Sequence, residues 1–229
     1  MDDEGLFNFR PRIRIVNIPM NAEEIEGRVL ARLDDPNANL QRVRLDIVRF
    51  YRSTFRPAEA MYYAEMYLAE TTDVEEKAEM YFVLGQTMEH VQDYESAFRF
   101  YTMALECEPK NKFHWYFIHN NIGFSLNQLE RYSDAEQYMR EAIRIEPNRS
   151  NAFKNLGLSL EGQGRVGEAA RSFIAAVRAD ASDPRAFWHL KELAETNPSA
   201  YGEVPDLNSQ IEKCRQAVEY AVNENGKRN

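Results

Sequence analysis

Tyr81-x-x-Leu84-Gly85, His119-x-x-Ile122-Gly123 and Phe153-x-x-Leu156-Gly157 are one phrase written three times. An alanine follows each glycine by twelve residues: Ala97, Ala135 and Ala169. A bulky apolar residue stands four further on (Tyr101, Met139, Phe173), and a second alanine seven further on (Ala104, Ala142, Ala176). Pro109 and Pro147 close the first two copies, and Ala181 takes that place in the third. Gly123 and Gly157 are 34 residues apart, whereas Gly85 and Gly123 are 38 apart, so about four residues are inserted, placed by the pattern at 111–115. Each copy reads as two antiparallel helices: about 76–90 with 94–107, 114–128 with 132–145, and 150–162 with 166–179. A mid-helix glycine costs about 1 kcal/mol relative to alanine. Its recurrence at one place therefore predicts close approach of the second helix, with the first alanine of each copy as the small counterpart and the bulky residues filling the space between.

The spacing of Leu-Gly, Ala, bulky residue, Ala and Pro resembles the tetratricopeptide repeat over about 78–183, as three units at 78–111, 116–149 and 150–183. The resemblance implies an all-α fold, a right-handed α-solenoid of antiparallel helix pairs, whose first helices line a concave groove. It implies a non-catalytic module that binds a peptide or helix of a partner protein in that groove, as an adaptor or scaffold. Carried over position by position, the groove comprises Phe82 and Gln86, with Glu89 beside them. It continues through Asn120, Asn121, Phe124 and Asn127, then Asn151, Lys154, Asn155 and Leu158 with Glu161, then Arg185, Trp188 and His189. Asn121 and Asn155 are equivalent, and each amide offers a donor and an acceptor to a peptide backbone. The expectation is that replacing both with alanine weakens partner capture and leaves stability nearly unchanged. The carboxylate clamp of some family members is incomplete here: Phe82 and Gln86 stand where Lys and Asn would be wanted, and His189 where Arg would.

Outside the repeats the pattern is less regular. Residues 1–20 alternate Phe7, Phe9, Ile13, Ile15 and Ile18 with Arg10, Arg12, Arg14 and Asn17, which favours an extended arm. That arm is a partly ordered tail, or it packs on the chain's own helices, or it pairs with a second subunit. Asn21 is a candidate N-cap with Glu24 three residues on. Helices follow from about 21 to 33, from about 39, and from Pro57, forming over 21–75 a candidate degenerate repeat whose register no Leu-Gly pair sets. The helix from Pro57 carries Met61, Tyr62, Tyr63, Met66, Tyr67 and Leu68 around more than one face, which predicts burial between neighbours. Residues 184–229 begin a fourth unit at Phe187-x-x-Leu190, with Lys191 in place of glycine. They end on a capping helix, about 206–224, with Ile211, Cys214, Val218, Ala221 and Val222 on one stripe.

The net charge of −9 and a pI near 5.1 argue against nucleic acid or an anionic membrane surface as the main partner. Cys107 and Cys214 are too few for a disulfide framework and are expected as buried thiols. No apolar run has the length of a membrane span, and Met-Asp-Asp-Glu does not open a signal peptide, so the default expectation is a cytoplasmic protein. His90, His114, His119 and His189 form no metal-ligand or nucleophile pattern, and neither a catalytic site, a metal nor a cofactor is expected. His119 takes the aromatic place of its phrase and is expected in the core. Two other readings stay open: a self-assembling scaffold using the arm and the helix from Pro57, as a homo-oligomer, and a chaperone for a secreted substrate.

Overall fold

The glycines of the three phrases stand where helix packing is tightest. A computed structural model describes residues 22–226. The expected arm at 1–20, the Asn21 cap and residues 227–229 lie outside the described residues. The elements are α1 (Ala22–Ala31) with a 3₁₀ turn (Arg32–Asp34), α2 (Leu40–Ser53), α3 (Pro57–Glu70), α4 (Val74–His90), α5 (Tyr94–Glu106) and α6 (Lys112–Gln128). They continue with α7 (Tyr132–Ile145), α8 (Ser150–Gly162), α9 (Val166–Ala179), α10 (Arg185–Thr196), the single turn α11 (Ala200–Glu203) and α12 (Leu207–Gly226). Among the described residues there is no strand. The chain divides into two compact units, Met1–His114 and Trp115–Asn229.

In the first unit, α4 and α5 are the first clear pair. A Cβ on Gly85 would stand 2.5 Å from two ring carbons of Tyr101. The direct counterpart of the glycine is thus the bulky residue sixteen positions on, and not the alanine at twelve. Ala97 and Ala104 are nevertheless fully buried. Asp73 and Asp93 cap α4 and α5, their side chains accepting from the amides of Glu76 (3.1 Å) and Ser96 (3.0 Å).

The preceding pair, α2 and α3, shares one backbone feature with the clear pairs. Gln92, Glu130 and Gly164 each stand seven residues after a phrase glycine and take positive φ in the turn between paired helices. Phe55 does the same between α2 and α3, with φ 56°. Counting back seven puts Val48 in the glycine's place, and counting forward from it puts Ala60 and Ala64 at twelve and sixteen. All three are fully buried. By this count a valine stands in the glycine's place and an alanine in the ring's, a swap that keeps the summed side-chain volume similar.

Around this contact the first unit is tied by aromatic and ionic groups. The Tyr51 and Tyr63 rings stack at 5.3 Å, and the Arg56 guanidinium lies 4.7 Å over Tyr51. Glu26 of α1 accepts from the Tyr51 hydroxyl (2.8 Å) and pairs with Arg56 (2.5 Å), which fastens α1 to the pair. The helix from Pro57 is not enclosed on all sides. Ala60, Met61, Ala64 and Tyr67 are buried, but Tyr62 and Met66, one turn apart, are exposed.

In the second unit the same contact recurs twice. A Cβ on Gly157 would meet the Phe173 ring, with Cδ1 at 2.5 Å, and one on Gly123 would meet the Met139 methyl at 2.5 Å. The four inserted residues appear as an extra turn at the start of α6, which has 17 residues against 13 in α8. The fourth unit starts in register at α10, with Lys191 on the surface in the glycine's place. Its second helix stops after the one turn of α11, ahead of Pro205. Glu203 of that turn accepts from the Gly167 amide at 3.0 Å, capping α9, whose N-cap residue Arg165 has no acceptor of its own. The helix α12 packs on α9 and α10 through Leu207, Cys214 and Val218. Val222, expected on this stripe, is exposed, since the last turns run past the core.

Alanine at a mid-helix glycine should gain about 1 kcal/mol of helix propensity, against an overpacking cost of about 1–3 kcal/mol. Gly85→Ala and Gly157→Ala face rigid rings and are expected to lower the urea midpoint. Gly123→Ala meets a flexible methionine end and is expected to be distinctly milder. Equal losses at all three would contradict the ring contact as the cause.

Candidate functional site

In the second unit, the first helices α6, α8 and α10 carry most of the residues assigned to the groove, but three of them point inward. Asn120, Asn127 and Asn155 are buried, Asn155 to 3% exposure. The Asn155 Nδ2 donates to Asn120 Oδ1 at 3.2 Å, and Asn120 Nδ2 donates to Asn121 Oδ1 at 3.1 Å. Asn127 Nδ2 donates to the Asn155 carbonyl at 2.9 Å, and its Oδ1 accepts from the Ser159 hydroxyl at 2.8 Å. These amides join α6 to α8. The expectation that Asn155 presents its amide to a peptide is therefore corrected: its donor is spent inside the unit, because α8 approaches α6 closely enough for the amides to meet.

The residues left at the surface divide by chemistry. Asn121, Phe124, Lys154, Leu158 and His189 are partly exposed, and Asn151, Arg185 and Trp188 are exposed, Trp188 at 67%. Arg185 is held by Asp183 through two short contacts (2.6 and 2.8 Å) and reaches Asn151 Oδ1 at 3.5 Å. Burial pushes the Lys154 ammonium pKa down, and the Arg185 cation adds to this. Burial also lowers that of His189, with Lys154 adding repulsion, while its ring stacks on Phe173 at 5.5 Å. Two turns along α8, Glu161 is pushed up by burial and by Glu192. One part of the surface is thus basic, with Lys154 beside an Arg185 already paired with Asp183 and a His189 biased to its neutral form, and the other is a pair of crowded carboxylates, with Trp188 and Leu158 as apolar area. Crowded like charges favour a ligand that brings the opposite sign.

In the first unit, Phe82 and Gln86 are partly buried on α4. Phe82 tilts against Tyr101 (5.6 Å), and the Gln86 carbonyl accepts from Arg52 of α2. Glu89, whose pKa burial raises, accepts from the Tyr101 hydroxyl at 2.8 Å. The amide of Gln86 is therefore partly committed within the unit. Arg52, which the missing register hid from sequence reasoning, is the cation of this surface.

The known proteins that the chain resembles share this architecture. A family model described as tetratricopeptide repeat matches residues 125–184. The chain is 26% identical over 130 residues to heat shock protein STI1 of Saccharomyces cerevisiae, covering 57% of this chain and 21% of that protein. It is 26% identical over 156 residues to human tetratricopeptide repeat protein 7B, covering 65% of this chain and 17% of that one. Residues 125–184 thus carry the tetratricopeptide repeat pattern. The chain spans about a fifth of the length of these relatives. Among solved structures, MamA of Desulfovibrio magneticus superposes with a TM-score of 0.63 at 17% identity, covering 81% of this chain and 98% of that one. YrrB, described as a tetratricopeptide protein with an unusual peptide-binding site, gives 0.57 at 18%, covering 90% and 99%. These likenesses show the solenoid fold.

His119 is a core residue, ringed by Trp115 (5.8 Å) and Tyr138 (5.7 Å), and its burial lowers its pKa. Cys214 is buried, but Cys107 is only partly so, and burial raises both thiols. Among the described residues no group of three His, Cys, Asp or Glu side chains is placed to hold a metal, and no helix is long and apolar enough to cross a membrane.

The inward amides carry a consequence for stability. Asn155→Ala removes the donor to Asn120 and should cost about 1 kcal/mol, at the low end for a buried hydrogen bond because the Asn155 Oδ1 itself is unpartnered. Asn121→Ala, at the edge of the chain of amides, should stay within about 0.5 kcal/mol. Urea unfolding of the two single variants checks the order; equal stability would place Asn155 outside the packed interior.

Proposed function

We propose that the second unit binds a segment of a partner protein across α6, α8 and α10, using Trp188 as its apolar anchor and the Lys154–Arg185–His189 cluster for an acidic part of that segment. The observation that carries this reading is Trp188: a tryptophan at 67% exposure, three residues after Arg185 and one before His189 on the same helix. Isolated exposed tryptophans bury large area at low entropic cost when a partner arrives, which is why they dominate interface energetics. The lowered pKa of Lys154, caused first by burial and then by Arg185, supports an acidic complement, since a carboxylate beside it would favour its charged form. An adaptor or scaffold role follows from binding without chemistry.

Peptides selected from a displayed random library against the wild-type chain test this. They are expected to combine an apolar residue with acidic ones. Trp188→Ala should weaken them by about 2 kcal/mol, with a stability change within about 0.5 kcal/mol. Undiminished binding by Trp188→Ala, or a selection with no acidic preference, removes the reading.

A second reading, self-assembly, is favoured by Tyr62 and Met66, exposed one turn apart on α3. Light scattering on the wild type and on Tyr62→Lys with Met66→Glu checks it. The expected outcome is a dimer lost in the variant; a monomer in both ends it.

A further inference from the structure

The turn between α7 and α8 holds a feature that the repeat pattern leaves unexplained. A surface cavity of about 290 Å³ is lined by Tyr116, Phe117 and Asn120 of α6, by Asn148–Asn151 at the start of α8, and by Ala179 and Asp180 at the end of α9. By liquid volume this is room for about ten waters, enough for an acidic side chain and its attachment. All of its lining belongs to the second unit.

Three observations give it a chemistry. First, α8 is a 13-residue helix whose N-cap residue is Arg149, which has no acceptor for the first-turn amides. Those amides and the helix dipole favour an anion there. The neighbouring α9, also begun by an arginine, meets the same need with the Glu203 carboxylate on Gly167. Second, Arg149 is held as a cation over two rings, its guanidinium 5.0 Å from the Tyr116 centroid and 5.1 Å from that of Phe117. Third, Tyr116 is 2% exposed, and its buried hydroxyl makes no hydrogen bond of good geometry. It stands by the Ala152 amide, in the first turn of α8. With the Ala152 amide beside its oxygen, the hydroxyl still has no acceptor for its proton, a loss of about 1–3 kcal/mol for a buried donor, and a ligand oxygen at the helix start would accept it.

The opposite wall limits the anion. The carbonyl end of α9 and the Asp180 carboxylate, whose Oδ1 accepts from Ser182 at 2.9 and 2.6 Å, put negative charge across the cavity. A dianionic phosphoryl group would meet twice the repulsion of a carboxylate. An N–H beside the carboxylate, as in a polypeptide, would find acceptors on that wall.

We propose that this cavity is a carboxylate subsite: Arg149, the α8 first-turn amides and the Tyr116 hydroxyl bind an acidic residue or chain end of a partner polypeptide. It adjoins the Lys154–Arg185–His189 cluster, since Arg185 reaches Asn151 of its lining, but none of the three cluster side chains lines it, and it rests on the groove reading only in taking the ligand to be a polypeptide.

Amide NMR titration of the full chain with three short peptides tests it: acetyl-Ala-Glu-Ala-amide, acetyl-Ala-Gln-Ala-amide, and acetyl-Ala-Gln-Ala with a free carboxyl end. The glutamate peptide is expected to shift the amides of Ser150, Asn151 and Ala152, and the capped glutamine peptide is not. Shifts with the free-end peptide alone uphold the carboxylate and assign it to a chain terminus. Arg149→Gln and Tyr116→Phe should each weaken the shift-monitored affinity by about tenfold. Tyr116→Phe keeps the ring, so its melting temperature should hold or rise while binding falls, which a merely structural hydroxyl would not give. Trp188→Ala should leave these amide shifts intact, which separates failure of this subsite from failure of the groove reading. No shift with either carboxylate peptide, equal shifts with the capped glutamine peptide, or full binding by both cavity variants overturns the proposal.

Discussion

The contact between a helix and the bulky side chain sixteen residues further on governs this protein. At Gly85 and Gly157 an aromatic ring lies flat against the backbone where a Cβ would be, and at Gly123 a methionine does the same. Dense packing tolerates no compromise at such a place: a methyl group too many forces the pair apart, and one too few leaves a void. The turn residue seven places after each glycine takes a left-handed conformation, because the chain must reverse within a few residues to bring ring and glycine together. The alanines at twelve and nineteen then keep the second helix near along its length.

The α2–α3 pair shows that the constraint is on volume and not on residue type. With Val48 where the glycine stands and Ala64 where the ring stands, bulk has moved from one helix to the other. The Tyr51–Tyr63 stack and the Glu26–Arg56 pair add a second set of ties there. At the other end the pattern is broken instead of exchanged. Lys191 needs no close neighbour, because the second helix of that unit ends after one turn, and α12 covers α9 and α10 in its place.

Burial of polar groups divides the candidate surface. Spacing along a helix says which residues share a face, but not whether a neighbour covers that face. Asn155 and Asn121 hold equivalent places, yet one is enclosed and bonded to Asn120 while the other stays at the edge. Conversely, Arg149 sits in a turn that repeat positions pass over. Its significance comes from Tyr116 and Phe117, some thirty residues earlier in the chain. Trp188 and Arg185 were legible as surface residues because they lie on the face of α10 away from the buried Ala186, Leu190 and Leu193.

The sequence by itself determined the helix pairs, their limits to within a few residues, and the solenoid class. Those follow from local periodicity and from an unfavourable residue recurring at a fixed place, both of which are properties of the chain read in order. Only the tertiary structure decided that the bulky residue (a ring at Gly85 and Gly157, a methionine at Gly123) packs closest on each glycine, that Val48 and Ala64 are both fully buried, and that three asparagines turn inward. It also decided that Tyr62 and Met66 stay uncovered. Each of these depends on which atoms from distant positions come within a few ångströms, and packing at that range is set by the volumes of both partners together.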